Sequence, residues 1–114
     1  MNTRIEYLYR DAHNYKTFGE AVLRGALSPE EVQPCYHEKT WFLPEEVGLD
    51  GLQEHPTTSA DHVWHEIIAL QPTPEPPTTP LTAHAFLQRM KAAANARWDT
   101  PAVRQRMMEI ACGE

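Results

Sequence analysis

A hairpin near the N-terminus constrains the fold of this chain more than any other stretch. Residues 5–10 and 16–24 are rich in aromatic and β-branched side chains, which suit a half-buried strand. The five residues between them include Asp and Asn, whose side chains satisfy turn backbone. Because side chains alternate along a strand, Ile5, Tyr7 and Tyr9 share one face. We predict two antiparallel strands with that face toward the core.

A helix start follows the hairpin. Ser28 suits the N-cap, Pro29 the first helical position, and Glu31 the third, where its carboxylate completes a capping box. Pro34 then removes a backbone hydrogen bond and disfavours helical geometry at the residue before it. The sequence therefore predicts a short, irregular helix that stops or kinks at Pro34.

Two further stretches have the character of strands. Residues 40–43 form a compact aromatic and apolar run that ends at Pro44, and residues 61–70 become uniformly apolar in their second half. Residues 45–52 are too irregular for a regular element and predict a loop. Residues 1–70 are thus expected to form an α+β core, with a mostly antiparallel sheet of about four strands and one short helix.

A proline-rich segment separates this core from the C-terminal part. Residues 71–80 hold five prolines in ten positions. Such a stretch extends as polyproline II and would span on the order of 30 Å. We therefore interpret it as a stiff linker.

Two helices are predicted after the linker, in residues 81–114. The first begins with Thr79 and Pro80, the second with Thr100 and Pro101, and Trp98 lies between them. Neither apolar stripe can form a core alone, so the pair must pack on the α+β core or on a partner subunit. Exchange across a long linker would make the chain a homodimer through its C-terminal helices, and the sequence leaves packing within or between chains open.

Composition limits the classes of function. The net charge is −6, and residues 1–80 hold five basic against thirteen acidic residues, a net of −8. Such a surface repels phosphate backbones, so nucleic-acid binding is not expected. Cys35 and Cys112 are far apart and lack zinc-ligand spacing, which predicts reduced thiols. No apolar run approaches about 20 residues and the N-terminus does not have the pattern of a signal peptide, so we predict a cytoplasmic protein without a membrane span.

Histidine and carboxylate side chains concentrate in residues 61–66. His62, His65 and Glu66 offer metal-ligand chemistry, but their order matches neither the zincin nor the inverted zincin motif. On a strand the two histidines point to opposite faces, so a metal site would need ligands from elsewhere, such as the hairpin loop. The alternative is that both histidines only make hydrogen bonds. Cys35 and His37 lack the surroundings of a nucleophile, and Cys35 is interpreted as an inert thiol.

Three motifs carry a resemblance to a known group of proteins. They are YRDAHNYK at residues 9–16, FLPEEVGL at 42–49 and DHVWHE at 61–66. The chain is similar, over residues 5–68, to small uncharacterised bacterial proteins that share a YRDAxNYK hairpin, an F-[IL]-P-E-x-V-G segment and a DHxWHE stretch. Some of these are encoded on mobile elements or gene cassettes. The resemblance implies a bacterial protein and brings no established activity with it.

Polar and aromatic residues of the hairpin loop and of the DHVWHE stretch form the candidate binding site, and we expect them to meet at one end of the sheet. The candidate residues are Arg10, Asp11, His13, Asn14, Tyr15, Lys16 and Trp64. The leading hypothesis is a small non-enzymatic binding or protein-interaction module without a cofactor. The alternative is a metal-dependent hydrolase that uses His62, His65 and Glu66.

Overall fold

A computed structural model describes residues 1–10, 14–52 and 64–101, together with residues 104, 105 and 108. Its strands are β1 (Asn2–Arg10), β2 (Lys16–Leu23), β3 (Trp41–Phe42) and β4 (His65–Thr73), and its helices are α1 (Pro29–Val32) and α2 (Ala83–Asn95). The four strands form one antiparallel sheet in the order β2-β1-β4-β3. The predicted α+β class with a four-stranded antiparallel sheet is confirmed.

The N-terminal hairpin forms as expected. β1 and β2 pair continuously from Thr3 opposite Leu23 to Arg10 opposite Lys16. Ile5, Tyr7 and Tyr9 are buried, so the predicted core face is confirmed. We call this side of the sheet the inner face, and the side that carries Glu6 and Leu8 the outer face.

The short helix after the hairpin is also present. The backbone N–H of Ser28 donates to the Glu31 carboxylate at 2.9 Å, as a capping box requires. α1 ends after four residues and continues as a 3₁₀ helix over Gln33–Cys35, which contains Pro34. A second 3₁₀ helix spans Pro44–Val47, where the sequence predicted an irregular loop.

The boundary between β4 and the proline-rich segment differs from the prediction. β4 begins at His65 and continues to Thr73, so Gln71 and Pro72 belong to the sheet and lie opposite Arg4 and Thr3 of β1. β3 pairs with only the first two residues of β4, so no second described strand runs beside Pro72. A proline is tolerated at such an edge because its missing N–H removes no ladder hydrogen bond on that side.

The rest of the proline-rich segment returns to the sheet. Thr78 exchanges two hydrogen bonds with Val22 on the free side of β2, and the N–H of Ala83 donates to the carbonyl oxygen of Arg24 at 2.8 Å. The segment therefore crosses from β4 to β2 within the same domain. The expected extended spacer is not confirmed: residues 71–73 belong to β4, and backbone groups that polyproline II would leave to water bind the edge of β2 at Thr78.

The first of the two predicted C-terminal helices is α2. Its N-cap is Thr82, whose hydroxyl oxygen accepts a hydrogen bond from the N–H of Ala85 at 3.0 Å; the sequence predicted the cap at Thr79. Phe86 and Met90 of α2 are fully buried in one apolar cluster with Ile5, Leu23 and Val32. The helices described thus pack on the inner face of their own sheet. Of the second predicted helix, residues 101, 104, 105 and 108 are described and are helical; the pair as a whole remains a prediction.

Trp98 closes the end of α2. Its side chain is buried, and its indole N–H donates to the carbonyl oxygen of Cys35 at 2.9 Å.

Among the residues described, no helix has the length and apolar character that a membrane crossing needs.

Candidate functional site

The end of the hairpin and the start of β4 lie side by side. Tyr9 is opposite His65 in the sheet, and the Nε of Arg10 lies 3.3 Å from a carboxylate oxygen of Glu66. A second nitrogen of the Arg10 guanidinium donates to the side-chain oxygen of Asn14 at 2.7 Å. The predicted meeting of the two motifs at one end of the sheet is therefore confirmed for the residues described.

The remaining candidate residues divide into two groups. Tyr15 and Lys16 have exposed side chains. Asp11, His13 and His62 lie outside the described residues, so their part of the predicted site is untested.

Three aromatic rings stack beside this ion pair, and we call them the aromatic cluster: His37, Trp41 and Trp64. The rings of His37 and Trp64 are nearly parallel, with centroids 4.3 Å apart and an interplanar angle of 5°. Trp41 lies 6.3 Å from Trp64 and 6.4 Å from His37, again in a stacked orientation. All three side chains are half-buried, so part of the ring surface stays open to solvent.

A tight turn positions two of these rings. The N–H of His37 donates to the carbonyl oxygen of Trp41 at 2.7 Å, and the reverse bond measures 2.9 Å. Between them Glu38 and Lys39 have positive φ angles of 48° and 67°, the left-handed region that Asn and Gly usually occupy. Such strain is of order 1–3 kcal/mol per residue and persists where the surrounding structure imposes it, often near functional sites.

His65 is buried on the opposite side of the strand from Glu66. Its Nε2 accepts a hydrogen bond from the N–H of Leu52 at 3.0 Å, and its ring packs 5.1 Å from that of Tyr9. The lone pair that could bind a metal is thus already used. Glu66 meanwhile pairs with Arg10. His65 and Glu66, two of the three predicted metal ligands, therefore do not converge on one site, because side chains alternate along β4 and these two point to different faces.

No group of three His, Cys, Asp or Glu side chains within the described ranges could hold a metal ion. Cys35 is buried, and burial raises the pKa of its thiol while Lys91 acts in the other direction. A protonated, enclosed thiol is a poor nucleophile, in line with the interpretation of Cys35 as inert.

His37 and Trp41 were absent from the predicted site. The sequence places them on either side of Glu38, Lys39 and Thr40, a triplet without the Asn-Gly pattern that marks a tight hairpin. Their contact with Trp64 also joins segments that are distant in the chain. The one signal that could have found them is the presence of tryptophan in both short strand stretches.

Comparison with protein-family models, with curated proteins and with solved structures finds no match.

Proposed function

We propose that this protein is a non-enzymatic protein-interaction module that binds a basic segment of a partner protein at the aromatic cluster. The observation that carries the proposal is the stack of His37, Trp41 and Trp64 at the end of the sheet, half-open to solvent. Tryptophan dominates the energetically important positions of protein interfaces, because it buries a large apolar area at small entropic cost.

Charge selects the kind of partner. Residues 1–80 carry a net charge of −8 and therefore attract cationic chains. Near the aromatic cluster, a carboxylate oxygen of Glu38 lies 3.9 Å from Nε2 of His37, and Glu66 lies opposite Trp41 in the sheet. A Lys or Arg side chain over the face of a Trp ring gains about 0.5–2 kcal/mol. A basic segment with apolar residues fits both features.

A second support is the rigidity of the surface. His37 and Trp41 are fixed by two backbone hydrogen bonds, and Trp64 directly precedes β4. Rings held by the sheet lose little conformational freedom on binding, so more of the contact energy appears as affinity.

The test uses synthetic peptides of about 12 residues, a length that can cover one face of a small domain. One peptide alternates Lys or Arg with Leu, a second has Glu at each basic position, and a third has Gln. Binding is followed by calorimetry and by tryptophan fluorescence. We expect the basic peptide alone to bind, with an affinity that falls as salt is added.

Substitutions localise the binding. Trp64→Ala is expected to weaken binding of the basic peptide at least about tenfold, while Trp64→Phe retains part of it. Thr17→Ala, at an exposed position on the opposite side of β2, serves as the control and should bind like the unmodified chain. Circular dichroism verifies that each variant is folded. Equal binding of the acidic peptide, or unchanged affinity in the folded Trp64→Ala variant, would refute the proposal.

A further inference from the structure

The outer face of the sheet carries an ordered pattern of side chains on β1 and β2. On β2 the order along the strand is Lys16, Phe18, Glu20, and on β1 it is Arg10, Leu8, Glu6. The pairing register sets Arg10 opposite Lys16, Leu8 opposite Phe18, and Glu6 opposite Glu20. The two strands thus form a basic row, an apolar row and an acidic row, about 6.7 Å apart along the strand direction.

The apolar row is open to solvent at one end. Phe18 is 63 % exposed, and Ile68, which the bulge in β4 displaces outward, is 49 % exposed. Beside them lies a shallow hollow of about 370 Å³, lined by Glu6, Phe18, Gly19, Glu20 and Ile68. Exposed aromatic and aliphatic side chains around a hollow are typical of an interaction surface.

The described helices leave this surface open. The buried residues of α1 and α2, including Val32, Phe86 and Met90, belong to the cluster on the inner face. Leu8 is buried on the outer face without being part of that cluster. The outer face therefore has a small apolar centre of its own.

The order of the rows makes the outer face complementary to itself. A two-fold axis that runs along the apolar row, across the strands, reverses the strand direction in the second copy. The basic row of each copy then lies over the acidic row of the other, and the two Phe18 side chains meet near the axis. An axis parallel to the strands would instead place like charges together. An isologous contact requires such a self-complementary patch.

We propose that the outer face is the interface of a homodimer in which the two sheets pack face to face about this axis. Lys16 of each copy lies near Glu20 of the other, and Phe18 of each copy enters the hollow of the other. This contact is separate from the C-terminal helices, whose described member α2 is packed on its own sheet. The row of Phe18 and Leu8 continues through Glu66 of β4 to Trp41 of β3, so the dimer contact lies on the same face as the aromatic cluster. It does not rest on the function proposed for that cluster.

Local charges favour the contact despite the net charge of the chain. Arg4 is shared by Glu6, Glu20 and Glu75, so the acidic row remains negative. Arg10 is paired with Glu66, and Lys16 adds a further positive charge at the other end. Each copy thus offers unlike charge to its partner at both ends of the apolar row.

The size of the face sets the strength of the dimer. Eight paired positions along three long strands cover roughly 26 by 14 Å, about 360 Å² per copy, below the approximately 800 Å² of a standard interface. We therefore expect a weak dimer whose formation depends on concentration in the micromolar range or above.

Sedimentation of the full chain tests the proposal, from about 1 μM to about 1 mM, the range over which a weak dimer forms. The mass should rise from one chain toward two. Phe18→Asp should raise the dissociation constant at least about tenfold. Met108→Asp is the matched control: Met108 is 62 % exposed and lies in the C-terminal region, so its substitution should leave the dimer intact.

Charge reversal tests the direction of the axis. Lys16→Glu should weaken the dimer by roughly threefold to tenfold, and adding Glu20→Lys should restore most of the affinity. The cost of Glu20→Lys to the fold is small because its ion pair with Arg4 is at the surface.

Chemical cross-linking between introduced cysteines measures directly how close the two copies of position 18 lie. With Cys112 replaced by Ser, Phe18→Cys should be joined to its copy by a short thiol-specific cross-linker, because the axis passes beside this position and sheets packed face to face lie about 10 Å apart. Thr17→Cys, exposed but on the opposite side of the strand, should not.

Three outcomes would overturn the outer-face dimer. A single-chain mass over the whole concentration range excludes it. Dissociation by Met108→Asp but not by Phe18→Asp assigns the dimer to the C-terminal helices. Failure of the double charge reversal to restore association, in folded protein, refutes the proposed axis. Peptide binding is measured separately with the Trp64→Ala variant, so failure of the dimer and failure of the proposed function are distinguishable.

Discussion

Replacing Trp98 with alanine should remove a large part of the stability of this domain. Trp98 is 3 % exposed and packs in the same apolar cluster as Phe86 and Met90. Its indole N–H donates to the carbonyl oxygen of Cys35 at 2.9 Å, which ties the end of α2 to the 3₁₀ helix after α1. Its φ angle of +57° is unfavourable for a large side chain, so the packing of the ring also holds the backbone.

The expected loss of stability has two contributions, the packing of the Trp98 ring and the hydrogen bond of its indole N–H. Truncation of a buried Trp to Ala costs about 3–5 kcal/mol through lost contacts and the cavity left behind. Trp98→Phe keeps much of the ring but leaves the carbonyl oxygen of Cys35 without its donor, which costs about 1–3 kcal/mol. A domain of this kind has a free energy of unfolding of about 5–15 kcal/mol, so the alanine variant loses roughly a fifth of it or more.

Urea denaturation followed by far-ultraviolet circular dichroism measures both variants. With a urea dependence of about 2 kcal/mol per molar, Trp98→Ala should lower the midpoint by roughly 2 M and Trp98→Phe by about 1 M. Met108→Ala, at an exposed position, should shift the stability by no more than about 0.5 kcal/mol. A midpoint for Trp98→Ala within about 0.3 M of the unmodified chain, which equals only about 0.6 kcal/mol, would show that α2 does not pack on its own core through this residue.

Three further predictions concern the packing at Gly19, the ionisation of Tyr7 and the response of the protein to added metal ions. Gly19→Ala should destabilise the fold by about 1–3 kcal/mol in urea, because its new Cβ would lie 2.7 Å from Leu52 and 3.0 Å from Tyr7; an unchanged midpoint would argue against this packing. Burial raises the pKa of the Tyr7 hydroxyl to about 12, above its value of about 10 in the unfolded chain. The contribution of Tyr7 to stability is therefore fully present below pH 10. As the pH rises from 10 to 12, the free energy of unfolding should fall by about 2–3 kcal/mol. Tyr7→Phe should lack this component of the alkaline destabilisation, and an identical pH profile would contradict the assignment. Zinc or manganese should leave the melting temperature of untagged protein unchanged, because Nε2 of His65 already accepts a hydrogen bond. A rise of several degrees with stoichiometric metal would instead support the metal-dependent hydrolase.

Local patterns in the sequence were sufficient for several elements. Alternation of apolar residues predicted the β1–β2 hairpin and its buried face, because both depend only on neighbouring positions. Ser28, Pro29 and Glu31 predicted a short capped helix for the same reason. The apolar spacing of residues 81–96 predicted α2, with a start that moved to Thr82.

Part of the candidate site could likewise be expected from the sequence. Arg10, Asn14 and Glu66 meet because the end of β1 and the start of β4 fall at the same end of neighbouring antiparallel strands. The stack of His37 on Trp64 could not be predicted, since it depends on a strained turn and on the position of β3 beside β4.

Only the tertiary structure determines where the proline-rich segment and His65 lie in the fold. Pro72 can join the sheet because β3 is short and leaves that part of β4 at an edge, a fact that no local pattern contains. Thr78 binds the free side of β2, which brings α2 onto the inner face where apolar surface is available. His65 and Glu66 are adjacent in the sequence and suggested one metal site, but the pleat of β4 separates them, one into the core and one to the outer face.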